Sequence, residues 1–294
     1  MTYSTTGLKK KRLRPQSAIL TLYGDYVLDR SGEIGIGSLI TLLTNFGLSE
    51  HAIRSAVSRM SRSGFLTVRR DGRKSYYSLT GEIRNQLTEG AQRIFHQKTG
   101  HWDGTWNVVT YSVPEHRRQA RDRLRRELGW MGYGALGEAA WISPYDLTRE
   151  VEALVQKIGI GEHVQIFDAQ HKGHTDPKVI VSRCWDLATI HGKYADFLTR
   201  YRPLLEEHVT RLKASSVIEP SQCFVERFEL IHEYRKLSFF DPDLPAALLP
   251  EDWLRPQAAA LFHQYHDLLA DKANKYFDSV YKEYQASVLA KPME

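Results

Sequence analysis

Apolar residues fall in pairs at Ala18-Ile19, Leu22-Tyr23 and Tyr26-Val27, a spacing of four that marks a helix with one buried face. Gly32 ends that run, and Ile34 and Ile36 alternate as a short strand does. Ser38 stands where an N-cap belongs, ahead of Leu39, Ile40, Leu42 and Leu43. Phe46-Gly47-Leu48 predicts a tight turn, and Ser49 predicts the cap of a third helix reaching about Ser63, with Gly64 as its stop. Two β-prone runs, Phe65–Val68 and Ser75–Leu79, flank Arg69-Arg70-Asp71-Gly72-Arg73-Lys74, and the Asp-Gly step there predicts a hairpin. Helix, short strand, helix, tight turn, helix and charged hairpin is the order of a winged helix-turn-helix. Ile83, Leu87, Ala91, Ile94 and Phe95 then describe a linking helix from Thr80 to about His96.

The pattern changes after residue 100. Trp106–Val113 predicts a strand ended by Pro114, followed by an arginine-rich helix from Glu115 to Leu128 with Ala120, Leu124 and Leu128 on its apolar side. Gly129, Gly132, Gly134 and Gly137 punctuate a short strand region, and Ala139–Ile142 is a further strand closed by Ser143-Pro144. Thr148 predicts the cap of a helix through Val151, Leu154, Val155 and Ile158, and Val164–Phe167 a final strand. The order βαββαβ is that of a ferredoxin-like sheet with two helices on one face. From Asp186 the periodicity is helical, in segments to about Lys213, from Ser221 to Leu237 and from Ala258 to Leu289, with a proline-rich loop at 241–250. The expected fold class is therefore α+β. Its parts are a basic arm over 1–16, a winged helix with its linker over 17–98, a ferredoxin-like domain over 99–180 and a helical C-terminal domain over 181–294.

Charge sharpens the reading of the first part. Residues 1–100 carry 16 basic against 7 acidic residues, a net +9, while the remainder carries 24 against 28, a net −4. A basic head on a faintly acidic body points to a polyanionic partner. On the third helix Ile53, Val57 and Met60 share an inward face with Ala56, which leaves His51, Arg54, Ser55, Ser58 and Arg62 outward. Short hydroxyls beside arginines suit a helix in the major groove of double-stranded DNA, where Arg pairs with guanine and Ser holds phosphate. Ser49, His51, Arg54, Ser55, Ser58, Arg59 and Arg62 are accordingly the expected contacts of the helix. Arg69, Arg70, Arg73 and Lys74 are those of the hairpin, over the flanking backbone or minor groove. For Lys9-Lys10-Lys11-Arg12 before the first helix, two readings stand: an arm entering a groove, or a tail without fixed structure.

Catalytic signals are weak. Cys184 and Cys223 make no disulfide framework and suit a reducing cytoplasm, where buried thiols act as small hydrophobes. No run approaches the roughly 18 apolar residues that span a bilayer, and the N-terminus lacks the apolar core of a secretory signal. The expectation is a cytoplasmic protein without membrane contact. His163, His171 and His174 near Asp168 and Asp176, and His263 with His266, lack the spacing of a metal site, and surface histidines account for both sets. The glycines lack the strand–Gly-x-Gly-x-x-Gly–helix context of a dinucleotide site. Neither a nucleophile elbow nor a phosphate loop appears. The row Arg117, Arg118, Arg121, Arg123, Arg125 and Arg126 is either a phosphate site or an exposed helix face. No catalytic residue, metal or cofactor is expected.

Several blocks resemble the PaaX family. In the head these are Leu22-Tyr23-Gly24-Asp25-Tyr26-Val27, Gly37-Ser38-Leu39-Ile40, Phe46-Gly47-Leu48-Ser49-Glu50 and Ala52–Met60. Further on they are Trp141-Ile142-Ser143-Pro144, Leu230–Arg235, Asp241–Pro245 and Pro250-Glu251-Asp252-Trp253. Together they reach from about residue 17 to 280. The resemblance implies a bacterial repressor of phenylacetic acid degradation genes. It implies binding to operator DNA as a homodimer, paired through the central domain, and release by phenylacetyl-CoA. The family's central domain is similar to a small CRISPR-associated nuclease in which a metal-binding aspartate ends the first strand. Here that strand ends Thr110-Tyr111-Ser112-Val113, without a carboxylate. A CoA thioester needs cations for its phosphates and an apolar slot for its acyl group. Trp141, Trp185, His232, Tyr234 and Arg235 supply those types, as effector residues or as structural braces. The other function classes are a CoA-thioester-binding enzyme or metal-dependent nuclease with an unrecognised site, and a ligand-independent architectural DNA-binding protein.

Overall fold

The computed structural model describes residues 13–95, 102–214 and 217–289, with the side chains of Arg93 and of residues from 283 on left aside. Residues 1–12 of the expected basic arm, and the end of the linking helix at His96, lie outside the described residues. The fold is mixed α and β, in two compact units. One comprises the chain to Gln92 with Pro203–Tyr234 and the residues from Leu261 on; the other comprises Arg93–Arg202 with Arg235–Ala260. The C-terminal helices are thus shared out between the units, and the chain changes unit inside a helix, at Pro203.

In the first unit, α1 (Pro15–Leu22) starts with Pro15 in its first turn, where a missing N–H costs nothing. At Tyr23 the helix widens into a π turn, Tyr23–Val27, in which Leu28 N–H donates to Tyr23 O. The wide turn carries Asp25, a buried carboxylate amid an aromatic core. β1 (Glu33–Gly35) leads into α2 (Ile36–Thr44), which begins two residues earlier than the expected Ser38 cap. Gly35 takes the cap position, while Ser38 is buried and donates to Val280 O. α3 (Glu50–Arg62) does start at a Ser49 cap, whose hydroxyl accepts from Ala52 N–H, and Gly64 beyond it has φ +75°.

β2 (Leu66–Asp71) and β3 (Lys74–Leu79) form the hairpin, and β1 joins them in an antiparallel sheet of order β1-β3-β2. The pairing of Asp71 with Lys74 leaves Gly72-Arg73 as the loop. Asp71 therefore closes the strand, and Gly72, at φ +55°, supplies the left-handed residue that a two-residue turn demands. α4 (Gly81–Phe95) follows. Ala18, Ile19, Leu22, Leu42, Ile53, Val57 and Met60 form the common core of α1–α3.

The second unit is built on β4 (Thr105–Tyr111), α5 (Arg118–Met131), β5 (Gly134–Ala135), β6 (Ala140–Ser143), α6 (Thr148–Ile158) and β7 (Val164–Gln170). All neighbouring strands are antiparallel, in the order β5-β6-β4-β7. Val109 and Tyr111 of β4 meet Leu124 and Leu128 of α5 and Val151 and Val155 of α6 in one apolar cluster. Burying each such side chain contributes roughly 1.5–3 kcal/mol. Thr148 is the first residue of α6 and not its cap; the carboxylate of Asp146 accepts from Thr148 N–H, which holds that carboxyl below its usual range.

α7 (Pro177–Cys184) was not anticipated, although Asp176-Pro177 is a helix-start signal: the Asp176 carboxylate accepts from Lys178 N–H, with proline in the first turn. α8 (Leu187–Lys213), α9 (Pro220–Phe240) and α10 (Arg255–Leu289) are the long helices. No helix among the described residues is long and apolar enough to cross a membrane.

Candidate nucleic-acid interface and a cleft in the second unit

α3 separates its faces cleanly. Ile53, Ala56, Val57 and Met60 are all at most 1% exposed. At 100° per residue, His51, Arg54, Ser55, Ser58 and Arg62 fall within about 100° of arc on the opposite side. Of these Ser55 is half-buried and the rest are exposed, as is Arg59 at the edge of the arc. Ser49 is spent on its cap. Arg54 Nε donates to Glu50 Oε1 at 2.7 Å, with both side chains more than half exposed. Such a surface pair is worth only about 0.3–0.5 kcal/mol, so Arg54 can exchange Glu50 for a base at little cost.

The hairpin divides its four cations. Arg70 and Arg73 are exposed, and Lys74 is half-buried at the start of β3. Arg69, also an expected DNA contact, is exposed but already paired. Its guanidinium straddles the Glu33 carboxylate, with Nη2 to Oε2 at 2.5 Å and Nε to Oε1 at 3.0 Å, and lies 4.6 Å over the Tyr76 ring. Those contacts hold Arg69 as a brace between β2 and β1, and the Glu33 bond raises its pKa further.

The five expected effector residues are spread over both units. In the first, His232 Nδ1 lies 2.7 Å from Thr21 Oγ1 and the ring stacks on Phe228, while Tyr234 stacks on Phe262 with centroids 4.1 Å apart. Both are buried and act there as packing. In the second, Trp141 packs half-buried against the sheet core, and burial lowers the Arg235 pKa to about 10. Trp185 alone of the five borders a partly open cleft of about 80 Å³.

That cleft is lined by Gly129–Tyr133, Tyr145, Trp185, Ser238–Asp243 and Arg255. Trp185 Nε1 donates to Gly132 O at 3.1 Å, and a Cβ on Gly134 would sit 2.6 Å from the indole, so only glycine admits the ring. Arg255 pairs with Asp243 and approaches Asp241 at 3.6 Å; Tyr194 O–H donates to Asp241 at 2.7 Å, and Tyr145 O–H to Asp243 O. Trp130, Phe239 and Phe240 stand exposed along the lining, with Lys193 Nζ 3.8 Å over the Phe240 ring.

Of the histidines expected at the surface, His171 and His174 are exposed and His163 and His263 half-buried, and one departs. His266 is buried against Asp25, whose other oxygen faces Arg227, and is not a surface residue. Nothing local in the sequence signals a pairing across that many residues. Among the described residues no three potential metal ligands gather. Burial raises the thiol pKa of both Cys184 and Cys223, which keeps them protonated.

Comparison with known proteins accounts for the chain in three consecutive stretches. A model described as PaaX-like protein matches residues 14–83, the PaaX protein central Cas2-like domain matches 99–181, and the PaaX-like protein C-terminal domain matches 185–279. Transcriptional repressor PaaX of Escherichia coli (strain K12) is 32% identical over 261 residues, spanning 87% of this chain and 81% of that one. A solved structure of an uncharacterized protein from Mycobacterium tuberculosis is similar at a TM-score of 0.57 and 22% identity, over 90% of this chain and 99% of that one. At that identity the likeness speaks to fold alone. With three successive models and a relative at this level over most of its length, the chain belongs to the PaaX family.

Proposed function

We propose that the chain is a cytoplasmic transcriptional repressor that holds double-stranded operator DNA near phenylacetic acid degradation genes and releases it on binding phenylacetyl-CoA. In this reading α1–α3 with β1–β3 act as a winged helix-turn-helix, with α3 as the recognition helix and the Gly72-Arg73 turn on the flanking backbone. The antiparallel order β5-β6-β4-β7 with α5 and α6 acts as a ferredoxin-like domain through which two copies pair as a homodimer. The relative's name, a transcriptional repressor, supports a regulator and not an enzyme. A nuclease reading lacks its carboxylate, since β4 runs through Thr110-Tyr111 into Ser112 and Val113.

The observation that carries the proposal is the polar arc of α3. His51, Arg54, Ser58 and Arg62 stand outward on a helix whose opposite face is sealed, beside the exposed cations Arg70 and Arg73. Arg54 and Arg62 would read base edges, Ser55 and Ser58 bases or phosphates, and Ser49, His51 and Arg59 the backbone at the edges of the groove. Gel shifts of the full chain on DNA upstream of those genes, against scrambled DNA of the same length, test this. A discrimination of 10³-fold or more is the usual range for a specific binder. Equal affinity for both would overturn it. Phenylacetyl-CoA should weaken operator binding roughly 5–150-fold, a coupling of about 1–3 kcal/mol. Free phenylacetate should not.

A further inference from the structure

The outward face of α5 and the cleft of the second unit combine two chemistries that one ligand can use. At 100° per residue Arg123, Arg126 and Trp130 share one face of α5 within about 60° of arc, away from the buried Leu124 and Leu128. Arg126 and Trp130 are exposed, the indole at 64%. Neither Arg123 nor Arg126 has an ion-pair partner among the described residues, whereas Arg117, Arg118 and Arg121 each approach a carboxylate. The helical rise places Arg123 about 10 Å from Trp130 along the axis, and the reach of an arginine adds several more. Trp130 is itself part of the cleft lining, beside Trp185, Phe239 and Phe240.

We propose that this face and cleft form the effector site, with phosphates on Arg123 and Arg126, the linking arm along Trp130, and an aromatic acyl group among Trp130, Trp185 and Phe240. The assignment rests on the effector reading above. The cleft also favours a thioester over the free acid. Its cation, Arg255, is already committed to Asp241 and Asp243, so two carboxylates face one guanidinium. A ligand entering with its own carboxylate meets two carboxylates that already share Arg255, and Lys193 lies over the Phe240 ring, whereas an uncharged thioester adds no like charge beside that pair. Guanidinium groups bind phosphates through paired, charge-assisted hydrogen bonds, which suits the other end of the ligand.

Calorimetric titration of the full chain with phenylacetyl-CoA, CoA and phenylacetate tests the site, using the double variant Arg123→Gln/Arg126→Gln. The variant Arg118→Gln/Arg125→Gln removes as much charge from another face of the same helix. The expected result is about tenfold or greater loss of affinity for phenylacetyl-CoA and for CoA in the first variant. The second should change less than twofold, and phenylacetate should show no saturable binding to any of the proteins. Operator affinity without thioester should be the same throughout. If the wild-type chain binds phenylacetyl-CoA and the first variant binds it equally well, the site is overturned while the effector reading stands. If the wild-type chain binds no thioester, both fall. A loss of operator affinity confined to the first variant would assign the two arginines to DNA and overturn the site.

Discussion

Asp25 Oδ1 and His266 Nε2 lie 2.9 Å apart inside the first unit, across 241 residues of sequence. The other carboxylate oxygen of Asp25 is 3.0 Å from Arg227 Nη1, and both partner side chains are 8% exposed. One carboxylate therefore serves two buried nitrogen groups, and it sits in the π turn that leads from α1 toward β1. Removing it strands a guanidinium in an apolar interior.

Asp25→Ala should accordingly lower stability by about 3–5 kcal/mol, the usual cost of breaking a buried pair from one side. Asp25→Leu combined with Arg227→Met should be less damaging than Asp25→Ala alone, because no charge is left unpaired. Urea unfolding of the two variants beside the unmutated protein measures this. A single variant no worse than the double would remove the ion pair from the account of the core.

Arg54→Ala should leave the unfolding midpoint nearly unchanged, since its only side-chain tie among the described residues is the exposed pair with Glu50. Discrimination between operator and random DNA should fall by roughly 1–3 kcal/mol per half-site. Unaltered discrimination in fluorescence anisotropy would mean that α3 does not read bases.

Arg70→Gln with Arg73→Gln should weaken binding to every sequence and flatten the log–log salt dependence by about 0.9 for each lost phosphate contact. Arg69→Gln should behave otherwise, because Glu33 and Tyr76 already occupy its guanidinium. It should loosen the hairpin, read as faster amide exchange in β2, and leave the salt slope as it was. A slope that falls for Arg69 and not for Arg70/Arg73 would reverse the division.

Gly134→Ala should destabilise the second unit by about 1–3 kcal/mol, the usual cost of overpacking, because the new methyl would stand 2.6 Å from the Trp185 ring. Tryptophan fluorescence should shift with it, as Trp185 stacks on Trp106 with centroids 6.5 Å apart. A variant with wild-type stability and an unchanged spectrum would show that the ring moves aside freely.

What the sequence disclosed follows from how far each interaction reaches. The cap at Ser49, the 3.6 period of Ile53, Val57 and Met60, and the hairpin around Gly72 are all written within a few residues, and each is where the pattern puts it. The strands at 105–111, 140–143 and 164–170 are likewise marked by local runs, while their pairing in the order β5-β6-β4-β7 joins residues tens of positions apart. α7 too carries a local signal, Asp176-Pro177. The partners of Asp25, the brace role of Arg69, and the division of α8, α9 and α10 between two units depend on residues tens to hundreds of positions away. No periodicity records those distances. Among the arginines of α5, the approaches of Arg118 to Asp122 and of Arg121 to Glu115 are local, while that of Arg117 to Glu162 is not.

The aromatic contacts of the first unit bear on how the protein is made. Tyr26 packs on Phe224 and stacks on Phe277, with centroids 5.3 and 4.9 Å apart. At roughly 5–20 residues per second, a ribosome takes on the order of 13–50 s between synthesising Tyr26 and synthesising Phe277. Through that interval the head waits with its apolar seam and Asp25 open to solvent and to chaperones, while the intervening second unit is free to close first. The first unit thus cannot complete its aromatic core until nearly the whole chain has been translated, and its folding is in that sense held to the end of synthesis.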